Sequence, residues 1–157
     1  MNQIVPEALQ IFEPIDSLIN NGGISQRALV IDTEISVYKK LIAIDYLGTV
    51  ALTKALLPNF VAHQAGHFVT VSTVMEKFSS PLRSGYCGAK HALHSFFDTL
   101  GLEHDKDNIK VTLICPGFFN TDVARNALIG DGKQPNTKVN PLGVDDFSIR
   151  MLRPIEK

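Results

Sequence analysis

Apolar and polar positions alternate along the chain with two periods, one typical of strands and one typical of helices. Short runs rich in apolar and β-branched residues are followed by longer stretches with helical spacing. This order predicts an α/β fold built on a parallel sheet. The predicted strands are residues 16–20, 67–73 and 109–115, and the predicted helices are residues 2–12, 34–60, 84–104 and 144–153.

The helix predicted over residues 34–60 has a long periodic pattern that ends near Pro58. Its apolar positions are Val37, Leu41, Ile44, Leu47, Val50, Ala51 and Leu56. Residues 118–143 contain Gly, Asn and Pro and predict a loop with a short helix near 122–128. Because predicted helices and strands lie on both sides of this loop, we interpret it as a flap over a site within one domain spanning residues 1–157.

The composition favours a folded protein, since 45% of the 157 residues are hydrophobic and 20% are charged. The net charge is −1 and no basic stripe occurs, which argues against a nucleic-acid partner. Cys87 and Cys115 lie far apart and are expected to be reduced thiols. We find no signal peptide and no apolar run that reaches the length of a membrane span. The expected location is therefore cytoplasmic, without a membrane partner.

Tyr86 and Lys90 lie four residues apart in a predicted helix, so their side chains share one face. A tyrosine pKa of about 10 is too high for efficient proton exchange at neutral pH. An ammonium about 4 Å away would favour the phenolate by roughly 4 kcal/mol, or about three pKa units, at an effective dielectric constant of about 20. Alone, this spacing also fits an ordinary solvated helix face.

Three predicted strands end in residues that suit ligand contact. Thr73 ends one strand and lies 13 residues before Tyr86, the segment 20–23 (NNGG) ends another, and Pro116-Gly117 ends the third, with Thr121 four residues later. In an open α/β sheet, ligands bind outside the carboxyl ends of the strands. Each segment could be an ordinary turn, but their convergence on one edge predicts a binding site.

Other kinds of site lack support in the sequence. His63 and His67 are four residues apart and His91 and His94 are three apart, but no carboxylate or thiol completes a metal site beside them. We therefore expect no metal. The chain also contains neither the nucleophile elbow of hydrolases nor a phosphate-binding loop of the Walker type.

The motifs NNGG, Ser/Thr at 72–73, YCGAK and PGFFNT resemble, in order and spacing, the short-chain dehydrogenase/reductase family. The segments LINNGGISQRAL, DYLGTVALTKALLP and SGYCGAKHAL resemble its dehydrogenase/reductase member 7 branch and bacterial relatives. The resemblance implies a Rossmann-like, doubly wound sheet. It also implies an oxidoreductase that uses NAD or NADP to transfer hydride between the nicotinamide and a small carbonyl or alcohol substrate.

The resemblance implies roles for four catalytic residues. Tyr86 would be the proton donor or acceptor, and Lys90 would lower the pKa of Tyr86 and hold the nicotinamide ribose. Thr73 stands where the family usually has Ser. Asp45 stands where it usually has the Asn of a proton-relay water.

The same resemblance implies contacts with the cofactor. Asn20 and Asn21 match the family's NNAG element near the cofactor. Pro116, Gly117 and Thr121 match the segment along the nicotinamide carboxamide and the phosphates. The loop 118–143 would cover the substrate.

The chain departs from the family in several respects. It lacks the TGxxxGxG segment, so the resemblance implies a partial sheet without its first three strands and its last strand. We expect weak dinucleotide binding, an open apolar edge at residues 15–20, and homo-oligomers formed through the helices 34–60 and 84–104. An ionised Asp45 would pair with Lys90 and weaken its effect on Tyr86. Two hypotheses follow: an oxidoreductase, or a catalytically inactive remnant that acts as a dimerising fragment.

Overall fold

The computed structural model of the chain describes residues 4–12, 14–74, 79–117, 123 and 126–134. The sheet and the helices have the order expected from the sequence, and their bounds differ by at most a few residues. The strands are β1 (Ser17–Asn20), β2 (Gly66–Val71) and β3 (Ile109–Ile114); the helices are α1 (Ile4–Ile11), α2 (Ile35–Leu41), α3 (Thr49–His63) and α4 (Ser84–Glu103), with a π-helical segment Ile42–Gly48 between α2 and α3.

The three strands form a parallel sheet in the order β1-β2-β3. Asn20 pairs with Thr70 and Val71 pairs with Ile114, so the carboxyl ends of the strands meet at one edge of the sheet. This confirms the predicted α/β fold. Within the described part of the chain, β1 is an edge strand, and its Ile19 side chain is exposed.

The main core lies between the sheet and the helices. Phe68 of β2 is fully buried and belongs to the same apolar cluster as Phe60 of α3 and Phe97 of α4. Gly66 begins β2 at the point where a Cβ would lie 2.1 Å from the ring of Phe60. The helices α3 and α4 are therefore packed closely enough on the sheet to fix the loops at its carboxyl edge.

The long helix between residues 35 and 63 buries only part of its apolar pattern. Val37, Leu41 and Leu56 are buried, whereas Ile44 and Leu47 are 41% and 52% exposed. Its buried positions begin with a series spaced four residues apart that is partly polar and continue into the core: Val37, Leu41, Asp45, Thr49, Thr53, Leu56 and Phe60.

The π-helical segment explains why a spacing of four can stay on one face. At about 3.6 residues per turn, each step of four residues advances about 40° beyond a full turn of an α-helix. A π-helical turn is wider because its hydrogen bonds run to the fifth residue, and this offsets the drift. The segment Ile42–Gly48 therefore keeps Asp45 on the buried face of the helix.

The continuous helix Ile35–His63 is 29 residues long, with a mean hydropathy of 1.4 in its most apolar stretch, and it could span a membrane by length and composition. No segment of that length was expected from the sequence. The helix contributes Leu56 and Phe60 to the core, but only 22% of its most apolar stretch is buried, and one such helix is weak evidence for a membrane span.

The predicted loop 118–143 is described only at residues 123 and 126–134. The short helix expected near 122–128 does not reach its predicted end, because Leu128 instead forms a parallel bridge with Gln26. The helix predicted over residues 144–153 lies outside the described residues.

Candidate active site

Tyr86 and Lys90 occupy the first two turns of α4 and are both buried, with 8% and 4% exposure. The Lys90 Nζ lies 5.8 Å from the centroid of the Tyr86 ring, so the two side chains share the face that their spacing predicted. The Lys90 ammonium donates a hydrogen bond to the Val71 carbonyl at 3.2 Å. This contact places the cation at the carboxyl end of β2.

Thr73 lies two residues beyond the end of β2 and is buried. Its side chain lies close enough to the Tyr86 phenol to act to lower the pKa of that phenol. The end of a central strand and the start of a long helix therefore bring two hydroxyl groups into contact. This pair is the arrangement that can hold a substrate oxygen and exchange a proton with it.

Asp45 is fully buried, with 0% exposure, and joins the same cluster from the π-helical segment. Its Oδ1 accepts a hydrogen bond from the Ile24 backbone N–H at 2.7 Å, while its Oδ2 has no partner among the described residues. Burial raises the pKa of Asp45 from 3.8 to about 6, although the Ile24 N–H and the charge of Lys90 both act to lower it.

Gly23 allows the chain after β1 to pass close to this pair of charges. A Cβ at Gly23 would lie 3.1 Å from the Asp45 Oδ1 and 3.6 Å from the Lys90 Nζ. The first distance is tighter than ordinary van der Waals contact. A side chain at this position would therefore require the carboxylate to shift by a few tenths of an ångström.

The pKa of Tyr86 shifts in the direction opposite to the sequence-based expectation. Burial raises the pKa of the phenol, and the negative charge of Asp45 raises it further; the hydrogen bond to Thr73 and the charge of Arg83 lower it. The predicted lowering by Lys90 is wrong for this structure. The physical reason is that burial of the ring and the nearby carboxylate both disfavour the phenolate. The predicted opposition of Asp45 to a lowered pKa agrees with this arrangement.

The predicted cofactor contacts lie at the same sheet edge but not all in the cluster. Asn20 is buried, and its Nδ2 lies 3.4 Å from the Thr53 and the Thr70 hydroxyls, so its amide links β1 to α3 and β2. Asn21 is exposed. The structure therefore places Asn20 in a packing role and leaves Asn21 open to solvent.

The chain after β3 stays beside the chain after β2. The Pro116 carbonyl accepts a hydrogen bond from the Val74 N–H at 3.0 Å. Gly117 is exposed, and no described atom lies within 4 Å of the position of a Cβ there. Thr121 lies outside the described residues.

One feature of the cluster was missed from the sequence, namely the Ile24 N–H that donates to Asp45. A backbone donor cannot be found from residue type and spacing, because it depends on how the chain turns after β1. The hydroxyl residues at 72 and 73 were both identified, and the Ser72 Oγ is buried without a hydrogen-bond partner among the residues described.

A family model for the short chain dehydrogenases matches residues 1–130. The chain belongs to the short-chain dehydrogenase/reductase family. Within this family of oxidoreductases, the chain is 48% identical over 128 residues to dehydrogenase/reductase SDR family member 7B of Mus musculus. It is 47% identical over 124 residues to member 7 of Homo sapiens. The resemblance to the member 7 branch is therefore confirmed.

These alignments cover much of the chain but less than half of each relative. The mouse alignment covers 82% of this chain and 40% of the mouse protein, and the human alignment covers 78% and 37%. The chain thus spans about two fifths of the length of these curated short-chain dehydrogenase/reductase relatives.

Solved structures of family members have the same fold. A gluconate 5-dehydrogenase from Burkholderia cenocepacia J2315, in complex with NADP and tartrate, has a TM-score of 0.76 at 22% identity, covering 79% of this chain and 49% of that one. ElxO with NADP bound has a TM-score of 0.75 at 26% identity, covering 80% and 51%. Both are similar to this chain across its described sheet and helices.

Proposed function

We propose that this chain is the catalytic part of an oxidoreductase that transfers hydride between NAD or NADP and a small carbonyl or alcohol substrate. In this proposal, Tyr86 donates the proton to the substrate oxygen during reduction and accepts it during oxidation. Thr73 holds that oxygen, and Lys90 binds the nicotinamide ribose. Family membership and the nicotinamide cofactors bound to similar solved structures support the proposal.

The observation that carries the proposal is the burial of Tyr86, Lys90 and Thr73 together at the carboxyl edge of the sheet, where the Lys90 Nζ lies 5.8 Å from the centroid of the Tyr86 ring. A carbonyl oxygen that accepts hydrogen bonds from both hydroxyls would be polarised and would lie next to a proton source. Packing holds both groups in place, because Tyr86 is part of a buried cluster with Val37, Leu41 and Leu128. The two hydroxyls are thus positioned before the substrate binds.

The residues at this edge suit the sugar of a nicotinamide nucleotide. Ribose hydroxyls accept hydrogen bonds from an ammonium such as that of Lys90, and the exposed amide of Asn21 can donate to the same kind of oxygen. No described atom lies within 4 Å of a Cβ position at Gly22 or Gly117, so the backbone there allows a ligand to approach. The cofactor, when bound, supplies or accepts the hydride.

In this proposal Asp45 sets the electrostatics of proton transfer. Its carboxylate lies near Lys90 and raises the pKa of Tyr86. A higher pKa makes the phenol a weaker acid and the phenolate a stronger base. With Asp45 ionised, the cluster therefore disfavours the phenolate that alcohol oxidation requires at neutral pH.

The proposal is tested by following the hydride itself. The 157-residue chain is incubated with nicotinamide nucleotides that carry deuterium at the transferable position, and with a panel of aldehydes and ketones. We expect one deuterium on the carbinol carbon of each product molecule, as detected by mass spectrometry. Carbonyl loss without the label, or no conversion with either nucleotide, would contradict the proposal.

The alternative is a catalytically inactive fragment that acts through self-association. The raised pKa of Tyr86 favours it, because the phenolate that alcohol oxidation needs is harder to form. This alternative expects a folded, self-associating chain that transfers no label. The labelled-hydride experiment therefore separates the two functions.

Self-association through the two long helices, in the cytosol, is part of the proposal. Apolar side chains are exposed on these helices, namely Ile42, Ile44, Leu47 and Leu102. Exposed apolar groups of this kind favour burial against a second copy. We expect sedimentation velocity at micromolar concentration to show a dimer or a larger species, and Leu47→Lys to shift it toward the monomer. A monomeric wild-type chain would contradict this.

A further inference from the structure

Gln26 lies in the loop between β1 and α2, and its polar side chain is completely buried, with 0% exposure. Buried amides need hydrogen-bond partners, because water no longer supplies them. Gln26 has one at each end of its carboxamide. Its Oε1 accepts from the Gly85 N–H at 2.7 Å, and its Nε2 donates to the Thr33 Oγ1 at 2.9 Å.

The bond to Gly85 completes the start of α4. The first N–H groups of a helix have no acceptor within the helix, and a side chain at the N-cap usually provides one. Here the N-cap residue, Arg83, makes no such bond. Gln26 supplies the acceptor from 59 residues away, at the residue immediately before Tyr86.

The first turn of α4 is also packed directly on Gln26 and on α2. A Cβ at Gly85 would lie 2.7 Å from the Leu41 Cδ1 and 2.9 Å from the Gln26 Oε1. The neighbouring Ser84 hydroxyl is hydrogen-bonded to the Tyr38 hydroxyl at 2.9 Å. The Gln26 carboxamide and the Leu41 side chain therefore fix the position of the first turn of α4.

The other end of Gln26 is fixed to its own loop. The Thr33 hydroxyl accepts from Gln26 and donates to the Leu29 carbonyl at 2.6 Å, so it orients the carboxamide. Both amide atoms of Gln26 are buried, so water cannot replace a lost partner. Loss of the hydrogen bond at one end of the carboxamide is therefore expected to weaken the hydrogen bond at the other end.

The backbone around Gln26 pairs with the segment 126–134. The Leu128 N–H donates to the Ser25 carbonyl, and the Arg27 N–H donates to the Leu128 carbonyl, both at 2.7 Å. The Leu128 side chain then packs in the same buried cluster as Tyr86. Gln26 thus lies between the start of α4 and part of the loop region 118–143.

We propose that Gln26 is a positioning residue: its carboxamide fixes the first turn of α4 and thereby holds the Tyr86 hydroxyl at Thr73. The inference rests on the proposed function, in which Tyr86 transfers the proton. Gln26 does not touch the reacting groups and acts through the helix. A displacement of about 1 Å at a reacting group can lower the rate by as much as about a hundredfold.

The first test compares Gln26→Met with Gln10→Met in the labelled-hydride assay. Methionine approximates the length of glutamine without its hydrogen bonds, and Gln10 is an exposed residue of α1. We expect Gln26→Met to lower kcat about tenfold. The KM for the nucleotide should stay within about twofold, because Gln26 contacts the start of α4 and not the proposed nucleotide site. Equal kcat values for the two variants would overturn the proposal.

A second pair of variants keeps the test decisive if Gln26→Met does not fold. The Thr33 and Thr99 hydroxyls each donate to the carbonyl four residues earlier, but only Thr33 also accepts from Gln26. We expect Thr33→Val to lower kcat about threefold and Thr99→Val to leave it unchanged. Equal effects in the two variants would overturn the proposal.

A spectroscopic readout separates this inference from the proposed function. The chain has three tyrosines, so tyrosine labelled with carbon-13 at Cζ gives three resonances, and Tyr86→Phe assigns the one from Tyr86. We expect Gln26→Met and Thr33→Val to shift or broaden that resonance, and their controls to leave it unchanged. An unmoved resonance overturns the positioning role, whereas an active Tyr86→Phe variant overturns the proposed function.

Discussion

Tyr86→Phe should lower the rate of hydride transfer by about a thousandfold, since general acid–base catalysis contributes about a hundredfold to ten-thousandfold. Phenylalanine keeps the ring that packs with Val37, Leu41 and Leu128 but removes the hydroxyl that contacts Thr73. A thousandfold loss corresponds to about 4 kcal/mol in the activation barrier. The measurement is kcat with the deuterated nucleotide, at saturating concentrations of both substrates.

Tyr46→Phe is the matched control for this change. The Tyr46 ring packs edge-on against Phe96, at a centroid distance of 6.4 Å, in the main core. The Tyr46 hydroxyl takes no part in the proposed reaction, so the kcat of Tyr46→Phe should stay within about twofold of wild type. A similar loss in both variants would point to damage of the fold, and full activity of Tyr86→Phe would remove Tyr86 from the mechanism.

The elements of the fold could be predicted from the sequence because local patterns determine them. Strand β2 combines β-branched and aromatic residues, and the strand was expected at 67–73 and lies at Gly66–Val71. Helix α4 was expected at 84–104 and lies at Ser84–Glu103. The convergence of residues 20–23, Thr73 and Pro116-Gly117 followed from the direction of parallel strands, which brings all carboxyl ends to one edge.

The orientation of the long helix could not be predicted in the same way. Ile44 and Leu47 belong to the apolar pattern of the helix but are exposed, whereas Asp45 in the same π-helical segment is buried. A π-helical turn adds residues to one turn of a helix without a characteristic residue type. The sequence therefore locates the helix but not the rotation of its middle.

The pKa of Tyr86 also could not be predicted from the spacing of residues in the sequence. Four residues of helix do bring Lys90 near Tyr86, but the pKa of the phenol depends on everything that surrounds the ring. Burial and the Asp45 carboxylate raise it. The role of Gln26 was missed for a related reason, since its partner Gly85 is 59 residues away in the sequence.

Asp45→Asn should remove a pH dependence from the stability of the chain. The pKa of Asp45 is about 6 when folded, against an ordinary value of 3.8, so the folded chain binds this proton more tightly than the unfolded chain does. The stabilisation is complete below the ordinary value and is lost as the pH rises through about 6. A difference of about two units corresponds to roughly 3 kcal/mol.

The quantity to measure is the difference in free energy of unfolding between Asp45→Asn and wild type, from urea denaturation at several pH values. We expect it to change by roughly 3 kcal/mol in favour of the asparagine variant between about pH 4 and pH 7. Other titrating groups, such as His67, whose pKa burial lowers, remain in both proteins and largely cancel. Asp45→Asn also removes the attraction between Asp45 and Lys90. This loss changes the size of the difference in free energy of unfolding, but not the direction in which that difference changes with pH.

Asp131→Asn provides a control of opposite sign. Asp131 is exposed, and its hydrogen bonds with Lys133 lower its pKa, so ionised Asp131 stabilises the chain as the pH rises. As the pH rises, Asp131→Asn should therefore become slightly less stable than wild type. If the stability difference from wild type changes with pH in the same direction for Asp45→Asn and Asp131→Asn, the pKa of Asp45 is not raised.

The same Asp45→Asn variant should lower the pKa of Tyr86. The asparagine amide can still accept the bond from the Ile24 N–H, so the geometry is kept while the negative charge beside the phenol disappears. Carbon-13 titration of the Tyr86 resonance measures the change directly. Because a lower pKa makes the phenolate easier to form, the variant should also oxidise alcohols faster at neutral pH than wild type. An unchanged or higher pKa would show that Asp45 does not act on Tyr86 through its charge.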